Sequence, residues 1–272
     1  MSALRSAIAG ALGLILRRLP EFRGKYRLAR LIGRLCRSAP ITSKYGISVS
    51  CNLDDRTNYF AIVGYKCDRV ADLISSLGEG DAFIDIGANL GLFSLLAEQR
   101  VKAAGIVLAF EPQARVSEEF RRNLSLNSAS RVHLFQFALG ASTGIGRMRT
   151  STEHTGAAHL DETGEDEVLI VNPVDILPLI VALIGSRRTV IKIDVEGAEE
   201  LVARAIAPLF NVLKIETCVI EVDQNNLSRC RSSIDGLYGA LQNQGFQPRF
   251  GKLAGGHYDE IFDRSETSDE PA

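Results

Sequence analysis

Apolar and polar positions change period several times along the chain, and each change predicts an element. In residues 1–40 the pattern is helical: an apolar run at 6–16 sits between Arg5 and Arg17-Arg18, and Leu28, Leu31, Ile32 and Leu35 recur at helical spacing. Residues 46–63 mix β-branched and aromatic side chains around Asp54-Asp55, which predicts two short strands and a turn. From 68 to 77 the helical period returns and stops at Gly78. Apolar strands then alternate with amphipathic helices. The strands are expected at 82–86, 106–110, 132–137, 190–193 and 215–222, and the helices at 90–101, 114–127, from 198 and over 231–244. Such alternation predicts a mostly parallel sheet covered by helices on both faces. The last two apolar runs, 246–250 and 258–262, have only a short link between them, so they should pair as an antiparallel hairpin at the sheet edge. The stretch 140–172 breaks the alternation with five glycines and reads as a loop-and-strand excursion of the kind that covers a ligand crevice. This pattern divides the chain into a basic helical extension (1–45), an α/β domain (46–263) and an acidic, disordered tail (264–272).

Composition narrows the function classes. The chain has 272 residues and a formal net charge of −2, which argues against a globally basic nucleic-acid binder, so no nucleic-acid partner is expected. Five cysteines are scattered without a C-x-x-C pair, and the four histidines show no zinc spacing; reduced, mostly buried thiols suit a cytoplasmic protein. The apolar run at 6–16 is too short to span a bilayer and lacks a convincing cleavage site. Two basic amphipathic helices at the N-terminus could instead rest on an anionic membrane surface, although such helices also serve simply to cap a domain.

Chemistry first shows at residues 83–91, where a buried strand runs into a glycine turn, Phe83-Ile84-Asp85-Ile86-Gly87-Ala88-Asn89-Leu90-Gly91, and then into a helix. Glycine permits backbone conformations and close approaches that a side chain blocks. The turn lacks the G-x-G-x-x-G of dinucleotide binders and carries Asp85 two positions before its first glycine. An anion there suits the cationic methionine part of S-adenosylmethionine better than a pyrophosphate. The next strand ends at Glu111, 20 residues after Gly91, where a carboxylate can accept two hydrogen bonds from a ribose diol. Both acids could also serve merely as helix caps at strand ends.

A further strand, 190–193, is unusual because Lys192 interrupts an apolar run and is followed by Asp194 and Glu196 on the same face while extended geometry lasts. A buried lysine is costly unless paired or chemically employed, so Lys192 is either half of a structural ion pair or part of substrate handling. At this point the chain resembles the FkbM family of methyltransferases. The resemblance rests on IDIGANLGLFSLLA (84–97), AFEP (109–112), NLSLN (123–127), the ALG at 138–140 and IKIDVEGAE (191–199). It implies the class I methyltransferase fold: an α/β, Rossmann-like sheet, mostly parallel, here with a C-terminal antiparallel hairpin and an N-terminal helical extension. It also implies S-adenosyl-L-methionine as cofactor and O-methylation of a small molecule or glycan. Carried over by position, Asp85, Gly87, Asn89 and Gly91 would form the methionine-side pocket and Glu111 would hold the ribose. Phe137, Ala138 and Leu139 would lie near adenine, and Asp194 and Glu196 would border the transfer site.

Methyl transfer needs an aligned acceptor and, for a hydroxyl, a base. Asp194 or Glu196 is expected in that role with Lys192 tuning the carboxylate; His154, His159 and His257 compete for it. No metal ligand set emerges from the sequence. Two alternatives remain at this stage: a noncatalytic module that keeps the cofactor pocket, and a nicotinamide-dependent oxidoreductase, which the absent G-x-G-x-x-G disfavours.

Overall fold

The computed structural model describes residues 2–65, 69–253 and 256–265. Cys67, Asp68 at the expected start of a helix, and all but the first two residues of the acidic tail lie outside them. Seven strands form the central sheet: β3 (Ala82–Ile86), β4 (Ile106–Phe110), β5 (Val132–Phe135), β10 (Thr189–Ile193), β11 (Ile215–Asp223), β12 (Phe246–Pro248) and β13 (His257–Arg264), in the order β12-β13-β11-β10-β3-β4-β5. The five strands from β11 to β5 are parallel to their neighbours, and β13 is antiparallel to both β11 and β12. The expected hairpin therefore forms. Its second strand lies inside its first, leaving β12 as the edge.

Strand alternation distributes the core over two layers. Phe83, Val107, Val190, Val219 and Ile261 point to the layer that holds α1 (Ser2–Arg18), α2 (Lys25–Gly33), α3 (Arg56–Val63), α4 (Arg69–Ser75) and α5 (Leu92–Val101). Ile84, Ile86, Leu108, Ile191, Ile193 and Ile220 point to the opposite layer, built from α7 (Leu177–Ile184), α8 (Glu199–Ala205), α9 (Leu209–Val212), α10 (Gln224–Arg229) and α11 (Ile234–Gln242). The helix between β4 and β5 is α6 (Ala114–Leu126). The chain leaves β3 for β4 on one side and returns to β10 on the other. That makes the β3–β10 boundary the switch point at which open α/β sheets bind ligands.

Three expectations need correction. Residues 46–63 do not hold two strands: β1 (Pro40–Thr42) and β2 (Ser48–Ser50) form the hairpin, and 56–63 is α3. Its β-branched residues mimic a strand. Yet Asp55 caps the first turn by accepting from the Thr57 N–H, and Tyr59, Ala61 and Ile62 all fall on the buried side. The helix expected over 231–244 forms as α11 but starts three residues late, because the Ser233 hydroxyl accepts from Gly236 N–H and caps it, and a separate short helix, α10, precedes it. The third concerns α7, which the pattern does not announce: a continuous apolar run has no helical period to read.

The excursion folds into a small sheet of its own, with β6 (Ala138–Leu139), β7 (Gly144–Arg149), β8 (His159–Leu160) and β9 (Asp166–Val171) in the order β6-β9-β7-β8. Its tip, a short 3-10 turn at Thr155–Ala157, reaches α3. There the Asp55 carboxylate accepts from Thr57 N–H, Thr155 N–H and the Thr155 hydroxyl at 3.0, 3.1 and 2.7 Å. One carboxylate thus caps a helix and docks the tip of the small sheet.

Candidate active site

Parallel pairing of β3 and β10 sets Lys192 directly beside Asp85. Asp85 is fully buried; Ser94 Oγ donates to it at 2.6 Å, and Lys192 Nζ lies 3.2 Å from its other oxygen. The lysine also donates to the Gly87 carbonyl at 3.1 Å and lies 3.4 Å from Asp194. Burial pulls the lysine pKa down, but Asp194 and Asp85 outweigh it and hold the ammonium above its ordinary value. Lys192 is therefore a charged, paired group that ties the ends of two strands together. Asp85 faces this network and not the cavity.

The glycines of the turn are explained by the protein's own packing. Gly87 and Gly91 both have φ of +79°, and a β-carbon on Gly87 would fall 1.8 Å from the Asp194 carbonyl oxygen. At Gly91 it would strike the Phe120 ring. The missing side chains thus let the β3 turn close against β10 and α6.

Beside the turn opens a cavity of about 320 Å³. Gly87, Asn89, Glu111, Ala138, Leu139, Lys192, Asp194 and Glu196 line it. Asp85, Gly91 and Phe137 do not. Phe137 packs instead against Phe110 and Phe135, because β6 turns away and only the next two side chains reach the cavity. The opposite wall comes from Thr57, Phe60 and Tyr65 of α3 and its following residues, and from Met148, His154 and Thr155 of the small sheet. His257 also reaches the cavity, whereas His159 does not and contacts the Ala157 carbonyl.

Two carboxylates mark different parts of this space. Glu111 is buried and accepts the backbone N–H groups of Asn89 and Gln113 at 3.0 and 2.8 Å, which leaves acceptor capacity on both oxygens. Burial raises its pKa to about 7 against the lowering effect of those donors. Glu196 sits in the turn after β10 with φ of +55°, an uncommon conformation for a residue with a β-carbon. Glu199 holds that turn by accepting from the Val195 and Gly197 N–H groups, each at 3.0 Å. Glu196 accepts from Asn226 Nδ2 at 2.7 Å, and burial, with Asp194 and Glu199 next, raises its pKa to about 8.

Glu221 on β11 is a site residue that the sequence reading missed. Its carboxylate meets those of Asp194 and Glu196, the three oxygens lying within 4.8 Å of one another. Such a trio could hold a divalent cation, so the structure supplies a ligand-capable set where the sequence showed none. The signal was hidden in pairing: Glu221 lies 25 residues beyond Glu196 and arrives only because β11 lies next to β10. Burial and the charges of Asp194 and Glu196 hold the Glu221 pKa well above the ordinary carboxylate value.

The methyltransferase FkbM domain matches residues 85–248, from the turn acid to the edge strand. The chain belongs to the FkbM methyltransferase family. Among curated proteins it is similar to methyltransferase sdnD of Sordaria araneosa, 37% identical over 100 residues; the alignment covers 33% of this chain and 38% of that protein. Among solved structures it is similar to an S-adenosylmethionine-dependent methyltransferase from Aquifex aeolicus (12% identity, TM-score 0.45, 78% of this chain and 94% of that one). A precorrin-6y C5,15-methyltransferase from Geobacter metallireducens GS-15 is comparable (15% identity, TM-score 0.43, 74% and 90% covered). The matched family model is a methyltransferase domain, which speaks against the oxidoreductase alternative.

Proposed function

We propose that this FkbM-family protein transfers a methyl group from S-adenosylmethionine to a hydroxyl oxygen of a small molecule or glycan. The observation that carries this reading is one cavity with a buried ribose-type acceptor, Glu111, and a separate carboxylate of raised pKa, Glu196. The residues present fit the cofactor. Glu111 has unused acceptor capacity for a diol, Ala138 and Leu139 offer apolar surface for a base, and Lys192-paired Asp194 leaves an anionic rim for a cationic group.

When bound, the cofactor supplies the methyl group on a positively charged sulfonium. The chain's own residues have two tasks, to align the acceptor oxygen and to take its proton. Asp194 is held by Lys192 and acts as a fixed anion. Glu196, with its pKa near the working range, suits the proton-accepting role, and Asn226 orients it. Of the two acids the sequence offers for this role, Glu196 is the one this reading favours.

Calorimetric titration with S-adenosylmethionine, S-adenosylhomocysteine and NAD tests the cofactor assignment. Micromolar binding of the first two, lost in Glu111→Ala, is expected; binding of NAD alone would overturn it. Cofactor binding without methyl transfer across a broad panel of hydroxylated acceptors would favour a noncatalytic module.

A further inference from the structure

The first 45 residues differ from the rest of the chain in charge and in surface. They carry ten lysines and arginines against one acid, Glu21, whereas the other 227 residues carry 21 basic and 32 acidic side chains. A net charge of about +9 is thus concentrated on an extension of a molecule that is otherwise acidic. Eight of the 17 large hydrophobic side chains exposed among the described residues also lie in this segment.

The exposure is ordered along the helices. On α1, Ala9, Leu12 and Leu16 are buried, while Leu4, Leu14 and Ile15 lie on the opposite side, 66, 44 and 52% exposed. On α2 and the 3-10 turn that follows it, Ala29, Gly33 and Cys36 face inward. Leu28, Leu31 and Leu35 form an outward stripe, 48, 64 and 63% exposed. Both helices therefore have two apolar sides, of which the protein covers only one. Arg5, Arg18, Arg23 and Arg27 are exposed and join no ion pair among the described residues. No helix among the described residues is long and apolar enough to cross a membrane.

We propose that α1 and α2 dock the enzyme on an anionic lipid bilayer, the apolar stripes entering the headgroup boundary and the unpaired arginines meeting lipid phosphates. An aliphatic stripe flanked by arginine is what an interfacial helix presents, and the excess positive charge selects anionic over neutral lipid. The two helices adjoin, and α1 also packs on α3, the helix whose residues line the cavity. Docking would hold the active site close to the bilayer.

The test is flotation of the full-length protein with phosphatidylcholine vesicles, with and without phosphatidylglycerol, alongside sedimentation of the protein alone. Bound protein is expected to be about tenfold higher with the anionic lipid and to fall with added salt. The double variant Leu31→Ser, Leu35→Ser should lose about tenfold in binding while keeping the unfolding temperature and S-adenosylhomocysteine affinity of the wild type. Arg18→Gln, Arg23→Gln, Arg27→Gln should erase the preference for anionic lipid. No vesicle binding, or equal binding to both lipids, would overturn the proposal. So would a wild-type dimer that the leucine variant dissolves without any vesicle binding, since the stripe would then cover a second copy.

Discussion

At the scale of residues, Glu196 and Glu111, both with raised pKa, predict pH effects on different quantities, turnover and binding. Glu196 must be ionised to take a proton, and its pKa is raised to about 8, mainly by burial. Turnover at saturating substrates should therefore rise with pH through about 8. Glu196→Gln should lower kcat by about 10²–10⁴-fold with cofactor affinity preserved. An unchanged kcat in both Glu196→Gln and Asp194→Asn would remove these acids from the chemistry. The same steady-state assay in excess chelator distinguishes a base from a ligand. Activity should persist, whereas loss restored by a divalent cation would reassign Asp194, Glu196 and Glu221 as metal ligands. Glu111 acts on binding instead. Its pKa in the free protein is raised to about 7, and a ribose diol donates best to the ionised form. Below pH 7 a proton must leave before the diol binds, so the Kd for S-adenosylhomocysteine should rise by about tenfold per unit of falling pH. Calorimetry across that range should show the slope in the wild type and lose it in Glu111→Gln.

At the scale of elements, Asp55 latches the tip of the small sheet over the cavity beside the Thr57 hydroxyl, which accepts from Gly156 N–H at 2.8 Å, and the Glu153 carbonyl, which accepts from Arg56 N–H at 2.8 Å. Asp55→Ala removes a helix cap and the two bonds to Thr155 at once. A loss of about 2–4 kcal/mol in stability is expected. Hydrogen exchange should accelerate at residues 153–158 well before it does in β3 or β10; uniform acceleration would mean the tip is not an independent element. The legibility of these elements in the sequence followed physical lines. The strand–turn–helix units around Asp85, Glu111 and Asp194 could be read because each is local: a buried strand, a sharp turn and a polar residue within a few positions. Asp55 could be seen as a polar break but not as a latch, because its partner Thr155 lies 100 residues away. Glu221 was hidden for the same reason. Phe137 was misplaced because the backbone turns at β6, and no periodicity reveals where a strand leaves the sheet. The side-chain requirement at Gly87 was legible, but its cause, the Asp194 carbonyl, needed the pairing of β3 with β10.

At the scale of the whole molecule, the sequence suggests that residues 1–45 are an extension to a domain starting at residue 46, yet their inner faces belong to the main core. Ala9, Leu12, Leu16 and Ala29 are buried in the same cluster as Phe83, Leu95 and Val190, so the layer on that side of the sheet is completed by α1 and α2. Polar ties reinforce the packing: Arg30 pairs with Asp54 at 2.8 Å, and Tyr26 donates to the Asp54 carbonyl at 3.3 Å. Removing residues 1–45 would strip several fully buried aliphatic side chains and expose what lies under them. At roughly 1.5–3 kcal/mol for each large one, the loss approaches the ~5–15 kcal/mol by which a domain is stable. Residues 46–272 alone should therefore unfold without a sharp transition, or melt at least about 10 °C lower, in differential scanning calorimetry. Substitutions on the outer faces, at Leu31 and Leu35, should leave the transition where it is. If the truncated chain melted like the full one, α1 and α2 would be a detachable appendage, and their inner contacts would contribute nothing to holding the sheet.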